Sequence, residues 1–204
     1  MNTPIPIIIK LNTQKYTKNE IKRISTFFLQ NKIVAYPTDT IYGLGSVATN
    51  PKTIKKIYNA KKRKKSKSVI ILVKNYCMLK KYFIISKKQN IFLHKLWTDN
   101  SKPTTVILKS RDTLPKEIIS KDGGVAVRMP INNHFLIDLI KKINQPIIST
   151  SLNISGEKNV SNTSDIPNEL ISHIDLVIDA GILINKASCI LDIRDINNII
   201  TIRK

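Results

Sequence analysis

The most constraining feature of this sequence is a succession of short apolar runs set between segments of helical period. Residues 33–36 (IVAY), 69–73 (VIILV), 104–108 (TTVIL), 124–128 (GVAVR) and 146–149 (PIIS) are too short for buried helices. They are rich in β-branched residues, which fit a pleated surface. Residues 176–178, 190–193 and 199–202 continue the series, and residues 1–11 read as one more short strand. Prolines at 4 and 6 and the lack of a basic first segment set residues 1–11 apart from a signal peptide. Between the strands, residues 17–31 carry Thr17 and Glu20 at capping-box spacing, with Ile21, Ile24, Phe27 and Phe28 on one face. Asn50-Pro51 starts a second helix bearing Ile54 and Ile57. Residues 77–97 predict one or two helices, and 132–142 another with Phe135, Leu136 and Leu139 inward. Strands and helices that alternate without repeats or linkers predict an α/β fold, a single domain over 1–204 with a twisted mixed sheet and flanking helices.

Length allows one well-filled domain and is short for two. Apolar residues make up 42% and charged residues 24%, as in soluble globular chains, and no apolar run reaches the roughly 18 residues of a membrane span. Cys77 and Cys189 stand far apart and form no CxxC, which fits a reducing cytoplasm and implies neither a zinc site nor a disulfide framework. His94, His134 and His173 have no metal-ligand spacing, so no metal site is expected.

Net charge is +20, from 34 Lys+Arg against 14 Asp+Glu. A basic balance points to nucleic acid. Lys, Ile and Asn, however, crowd the whole sequence, as an A/T-biased genome would produce, so the charge alone says little about RNA. The same bias makes other residues informative. Arg23, Arg63, Arg111, Arg128, Arg194 and Arg203 are the six arginines among 34 basic residues, and in so lysine-rich a chain an Arg is expected where a guanidinium fork grips a carboxylate or phosphate. Gly43, Gly45, Gly123, Gly124, Gly156 and Gly181 are the only glycines.

Gly43, Gly45, Arg63, Gly123, Gly124, Arg128 and Gly156 fall in four segments at strand ends, where α/β sheets bind ligands. Residues 36–45 (YPTDTIYGLG) make a hydroxyl-rich turn followed by two glycines. With no GxxxxGK[ST] in the chain, this is not a P-loop. Residues 61–68 (KKRKKSKS) form a cationic loop able to cradle a triphosphate, and Arg63 is its one arginine. Residues 123–128 end in Arg128, which needs an anion, either a structural carboxylate or that of an amino acid. Residues 149–156 (STSLNISG) offer alternating hydroxyls and an amide, suited to phosphate oxygens or Mg2+-linked waters.

Taken together, Lys61-Lys62-Arg63, Ser151-Leu152-Asn153, the opening YPTDTIYGLG, the central VAVRMP and the late SCILD resemble the YrdC/TsaC threonylcarbamoyl-AMP synthases, from about residue 14 to the C-terminus. The resemblance implies a YrdC-like domain with an open, concave cationic groove. It implies condensation of L-threonine, bicarbonate and ATP into threonylcarbamoyl-AMP and pyrophosphate, with ATP a substrate and Mg2+ arriving with it. By similarity, Lys61, Arg63 and Lys67 bind the ATP phosphates, with Ser151 and Asn153 completing that pocket; Asn159 and Arg203 add nucleotide contacts. Thr40, Arg128 and Ser188 hold threonine, Arg128 by its carboxylate. A separate transferase is the expected recipient, for modification of adenosine beside the tRNA anticodon, and the family leaves room for a direct tRNA contact. No membrane is implied.

The chain departs from the family pattern in places. Residues 98–102 (TDNSK) separate Trp97 from Pro103 where the family has Trp-Pro-Gly-Pro, Lys64 replaces a proline, and Cys189 replaces a threonine. The extra C-terminal domain of longer members has no room here. Two rival readings remain at this stage: a non-catalytic RNA-binding module, and a paralogue acting on another carbamoyl adenylate.

Overall fold

In the computed structural model, residues 5–64, 69–98 and 102–204 are described. The first half contributes β1 (Ile7–Lys10), α1 (Lys18–Leu29), β2 (Val34–Tyr36), β3 (Gly43–Gly45), α2 (Pro51–Ala60), β4 (Ile70–Leu72), α3 (Tyr76–Tyr82), β5 (Phe83–Ile84) and α4 (Lys87–Thr98). The second contributes β6 (Thr104–Ser110), β7 (Gly124–Arg128), α5 (His134–Ile143), β8 (Ile147–Ser151), α6 (Asn168–Ile171), β9 (Leu176–Asp179), β10 (Cys189–Asp192) and β11 (Ile200–Arg203). The strands form one mixed sheet in the order β1-β9-β2-β3-β8-β4-β7-β6-β10-β11, with β5 alongside β6. This is the twisted α/β architecture with flanking helices that the alternation of segments predicts.

Local chemistry accounts for the helix starts. The Thr17 hydroxyl accepts from the Glu20 amide at 3.2 Å, and the Glu20 carboxylate accepts from the Thr17 amide at 2.7 Å, closing the capping box. Asn50 caps α2 with Pro51 at its first position, and Asn133 caps α5 by accepting from the Leu136 amide. Ile21, Ile24 and Phe28 of α1 are buried, as are Phe135, Leu136 and Leu139 of α5. The two helices pack together, the Tyr16 ring edge-on to Phe135 at 5.7 Å and its hydroxyl donating to Asp138 at 2.9 Å.

One difference from the sequence reading bears on the site. The turn expected over 37–45 ends in a strand, β3, which the hydrogen-bond ladder inserts between β2 and β8. Glycine makes this pairing feasible: a β-carbon on Gly45 would lie 1.8 Å from the Ile148 carbonyl oxygen. The Tyr36 hydroxyl donates to that same oxygen at 2.6 Å. Of the one or two helices expected over 77–97 there are two, α3 and α4, with the two-residue strand β5 between them.

Candidate active site

The sheet's strand ends and three loops enclose a cleft of about 320 Å³. Ile70, Ile107 and Ala126 of the sheet give it an apolar floor, and Thr38, Thr40, Ser149, Thr150 and Ser151 contribute hydroxyls. Arg63, Arg128 and Arg203 reach it from three separate elements, and its described lining includes no carboxylate.

Arg128 ends β7 and is 4% exposed. One guanidinium nitrogen, Nη1, is ion-paired with Asp39 from the turn after β2, so the structural pairing weighed in the sequence is present. The pairing is incomplete: Arg128 Nε and Asp39 Oδ1 are both buried without a hydrogen-bond partner. A guanidinium fork with one edge left over retains capacity for a second, anionic partner.

Arg203, on the edge strand β11, donates through Nε to the Ser188 carbonyl at 2.8 Å and through Nη2 to its hydroxyl at 3.2 Å. The Ser188 hydroxyl also shares a 2.8 Å hydrogen bond with Thr105. Thr40 is fixed similarly, its hydroxyl 2.9 Å from that of Thr38, which accepts from the Thr40 amide at 3.0 Å and donates to the Ile41 carbonyl at 2.6 Å. Burial pushes the Arg63 and Arg203 guanidiniums below their ordinary range; Tyr58 offsets part of this at Arg63.

Lys61 and Asn153 lie behind this wall. Lys61 is fully buried, and its ammonium donates to the Ser151 carbonyl, to the Asn153 carbonyl at 2.5 Å and to Asn153 Oδ1 at 3.0 Å. Burial first, and the Arg63 charge second, push its ammonium from 10.5 down to about 7. The Ser151 hydroxyl donates to Asn153 Oδ1 at 2.6 Å, and Asn153 Nδ2 donates to the Glu157 carbonyl at 2.7 Å.

The structure therefore brings together Thr40, Lys61, Arg63, Arg128, Ser151, Asn153, Ser188 and Arg203, drawn from distant parts of the sequence. Asn159 is exposed and is not among the residues lining the cleft. Lys67 lies outside the described residues. The singled-out arginines divide evenly: Arg194 is clamped by Asp122 and Asp192, Arg111 donates to the Lys80 and Phe83 carbonyls, and Arg23 is exposed. Sequence reasoning did not single out Thr38, Ser149 and Thr150, although they sit in segments it marked; Asp39 and Thr105 were invisible as partners because their contacts are long-range. Among the described residues no three His, Cys, Asp or Glu side chains gather to hold a metal, and no helix is long and apolar enough to cross a membrane.

Comparison with known proteins gives the family. A protein of Methanocaldococcus jannaschii is 31% identical over 199 residues, covering 97% of this chain and 90% of that one. The threonylcarbamoyl-AMP synthase of Wigglesworthia glossinidia brevipalpis is 31% identical over 185 residues, covering 90% and 93%. The structure of Pyrococcus abyssi Sua5 complexed with L-threonine superposes with a TM-score of 0.80 at 28% identity; it covers 93% of this chain, which spans 54% of that longer protein. The Sua5/YciO/YrdC family, described as telomere recombination, matches residues 26–204, and the chain belongs to that family.

Proposed function

We propose that this chain condenses L-threonine, bicarbonate and ATP into threonylcarbamoyl-AMP with release of pyrophosphate, within one domain spanning 1–204. The observation that carries the reading is the convergence of Arg63, Arg128 and Arg203 with the hydroxyls of residues 149–151 on a cleft lined by no described carboxylate. Relatives across most of the chain's length bear the name threonylcarbamoyl-AMP synthase.

The reaction needs charge neutralisation and alignment more than a side-chain nucleophile. The threonine nitrogen attacks the carbon of bicarbonate, water is lost and a carbamate forms. A carbamate oxygen then attacks the α-phosphorus of ATP, the bond to the bridging oxygen breaks, and pyrophosphate leaves. Arg128 offers its unpaired edge to the threonine carboxylate, with Thr40 and the Ser188–Arg203 pair beside it. Arg63 and Ser151 face the triphosphate, and Arg203 borders the nucleotide. Lys67 and Asn159 join the nucleotide contacts by similarity to the family. The Ser149, Thr150 and Ser151 hydroxyls would help hold Mg2+ brought with ATP, which would supply further neutralisation of phosphate charge. The product passes to a separate transferase for tRNA adenosine, in a reducing cytoplasm.

The test is pyrophosphate release from ATP with each substrate withheld in turn. Release is expected only when threonine and bicarbonate are both present. Equal release with another amino acid would instead identify a paralogue with a different carbamoyl adenylate, and salt-sensitive RNA binding without turnover would identify an RNA-binding module.

A further inference from the structure

The sequence pattern groups Lys61 with Arg63 as a phosphate ligand, but the two side chains are placed differently. Arg63 lines the cleft; Lys61 does not. We propose that Lys61 is a positioning residue, which fixes residues 151–153 from beneath and thereby orients the Ser151 hydroxyl toward the substrates. This inference rests on the reading of the cleft as a nucleotide site and deepens it.

An ammonium has three N–H donors, and here all three have protein acceptors: the carbonyls of Ser151 and Asn153 and the Asn153 side-chain oxygen. None remains for a phosphate. The backbone closes the same link in the other direction, because the Ser155 amide donates to the Lys61 carbonyl at 2.9 Å. Lys61 thus ties the end of α2 to the loop after β8 through four hydrogen bonds, three from its side chain and one to its backbone.

The direction of donation matters. Asn153 Nδ2 is committed to the Glu157 carbonyl, which assigns Oδ1 as the atom facing Lys61 and Ser151. Both the ammonium and the Ser151 hydroxyl donate to Oδ1. Ser151 therefore spends its proton inward and turns lone pairs toward the cleft. It is an acceptor there, suited to a donor N–H or to the metal carried by ATP, and not a donor to phosphate. Asn153 acts at one remove, by setting the polarity of Ser151.

Hydrogen–deuterium exchange on the ligand-free protein tests this without relying on the reaction. Lys61→Met removes the three donors while keeping the length of the stem. The expected result is exchange at least about tenfold faster for the Leu152, Asn153 and Ser155 amides, since three buried acceptors lose their partners. Amides shared by β1 and β9, at the far edge of the sheet, should keep wild-type rates. Lys61→Gln retains two donors on a shorter stem and should give intermediate rates; it also serves if the methionine variant does not fold. Lys61→Arg keeps the charge but cannot place three donors on one atom, and should lose pyrophosphate release as fully as Lys61→Met. Unchanged ligand-free exchange in Lys61→Met together with weakened ATP affinity would overturn the positioning role, as would full activity in Lys61→Arg. Wild-type protein that shows no substrate-dependent pyrophosphate release would sink the enzyme reading and leave the exchange result standing.

Discussion

Arg194 on one side, and Lys61 and Arg203 on the other, show two ways of holding a positive charge. Arg194 is held by carboxylates, with Nη2 2.6 Å from Asp192, Nε 3.0 Å from the same group and Nη1 2.6 Å from Asp122. Its charge is balanced inside the protein, and these contacts raise its pKa further. Lys61 and Arg203 are held by carbonyls, a hydroxyl and a carboxamide, and no carboxylate pairs with either among the described residues. Both are pushed downward by burial. A cation held by neutral acceptors, fully buried for Lys61 and on an exposed edge strand for Arg203, is solvated without being neutralised. The first arrangement is a finished structural clamp; the second leaves a positive charge that no described carboxylate balances, as the proposed anionic substrates require.

The largest expected effect tests the second half of that contrast. Arg63→Ala and Asn153→Ala should each lower kcat/KM for pyrophosphate release by about 10²–10³-fold with circular dichroism unchanged, because each removes a preorganised contributor to the phosphate environment. Asp39→Asn comes next. It strips the buried Arg128 of its only ion-pair partner among the described residues, and the threonine KM should rise about tenfold as the guanidinium loses its orientation. Titration sharpens the comparison. Lys61 at about 7 sits below its ordinary 10.5, so the folded, empty protein releases that proton before the unfolded chain does. Ligand-free stability should then rise with pH from about 7 to 10.5, the window in which the unfolded chain binds more protons. An anion in the cleft favours the charged ammonium, so ATP affinity should weaken above pH 7 by up to about tenfold per pH unit, and calorimetry in buffers of different ionisation heat should detect proton uptake. This dependence should vanish in Lys61→Met. Arg194→Ala should do least: turnover equal to wild type, and a melting temperature lower by about 2–4 °C, the shift expected for losing about 1 kcal/mol from a partly exposed pair.

Much of this was readable along the chain, for local reasons. The capping box, the Asn-Pro helix start and the short β-branched runs act over a few residues, and each reappears in the structure. Scarcity of arginine in a lysine-rich sequence pointed to Arg63, Arg128 and Arg203, and it also gathered Arg194, because a guanidinium fork suits an internal carboxylate as well as a substrate. What stayed hidden is non-local. β3 read as part of a turn because glycine carries no strand preference, and only its approach to Ile148 explains its place. The Asp39–Arg128 pair spans 89 residues of sequence. Lys61 sits in a run of lysines, and nothing in that run marks it as the buried one; Lys62, one residue on, takes a left-handed backbone (φ 49°) and meets Glu169 at the surface.

The pairing of β1 with β9, Ile7 beside Leu176, has a consequence for synthesis. β1 has no neighbour in the sheet until β9 has been made, whereas β6 can pair with β5 and β7 long before β10 appears. Such long-separation pairing predicts slow folding for this length. Ile5, Ile7 and Ile8 stay exposed even in the folded protein, so what β1 lacks until residues 176–179 are made is a hydrogen-bonding neighbour, an open strand edge that chaperones should capture.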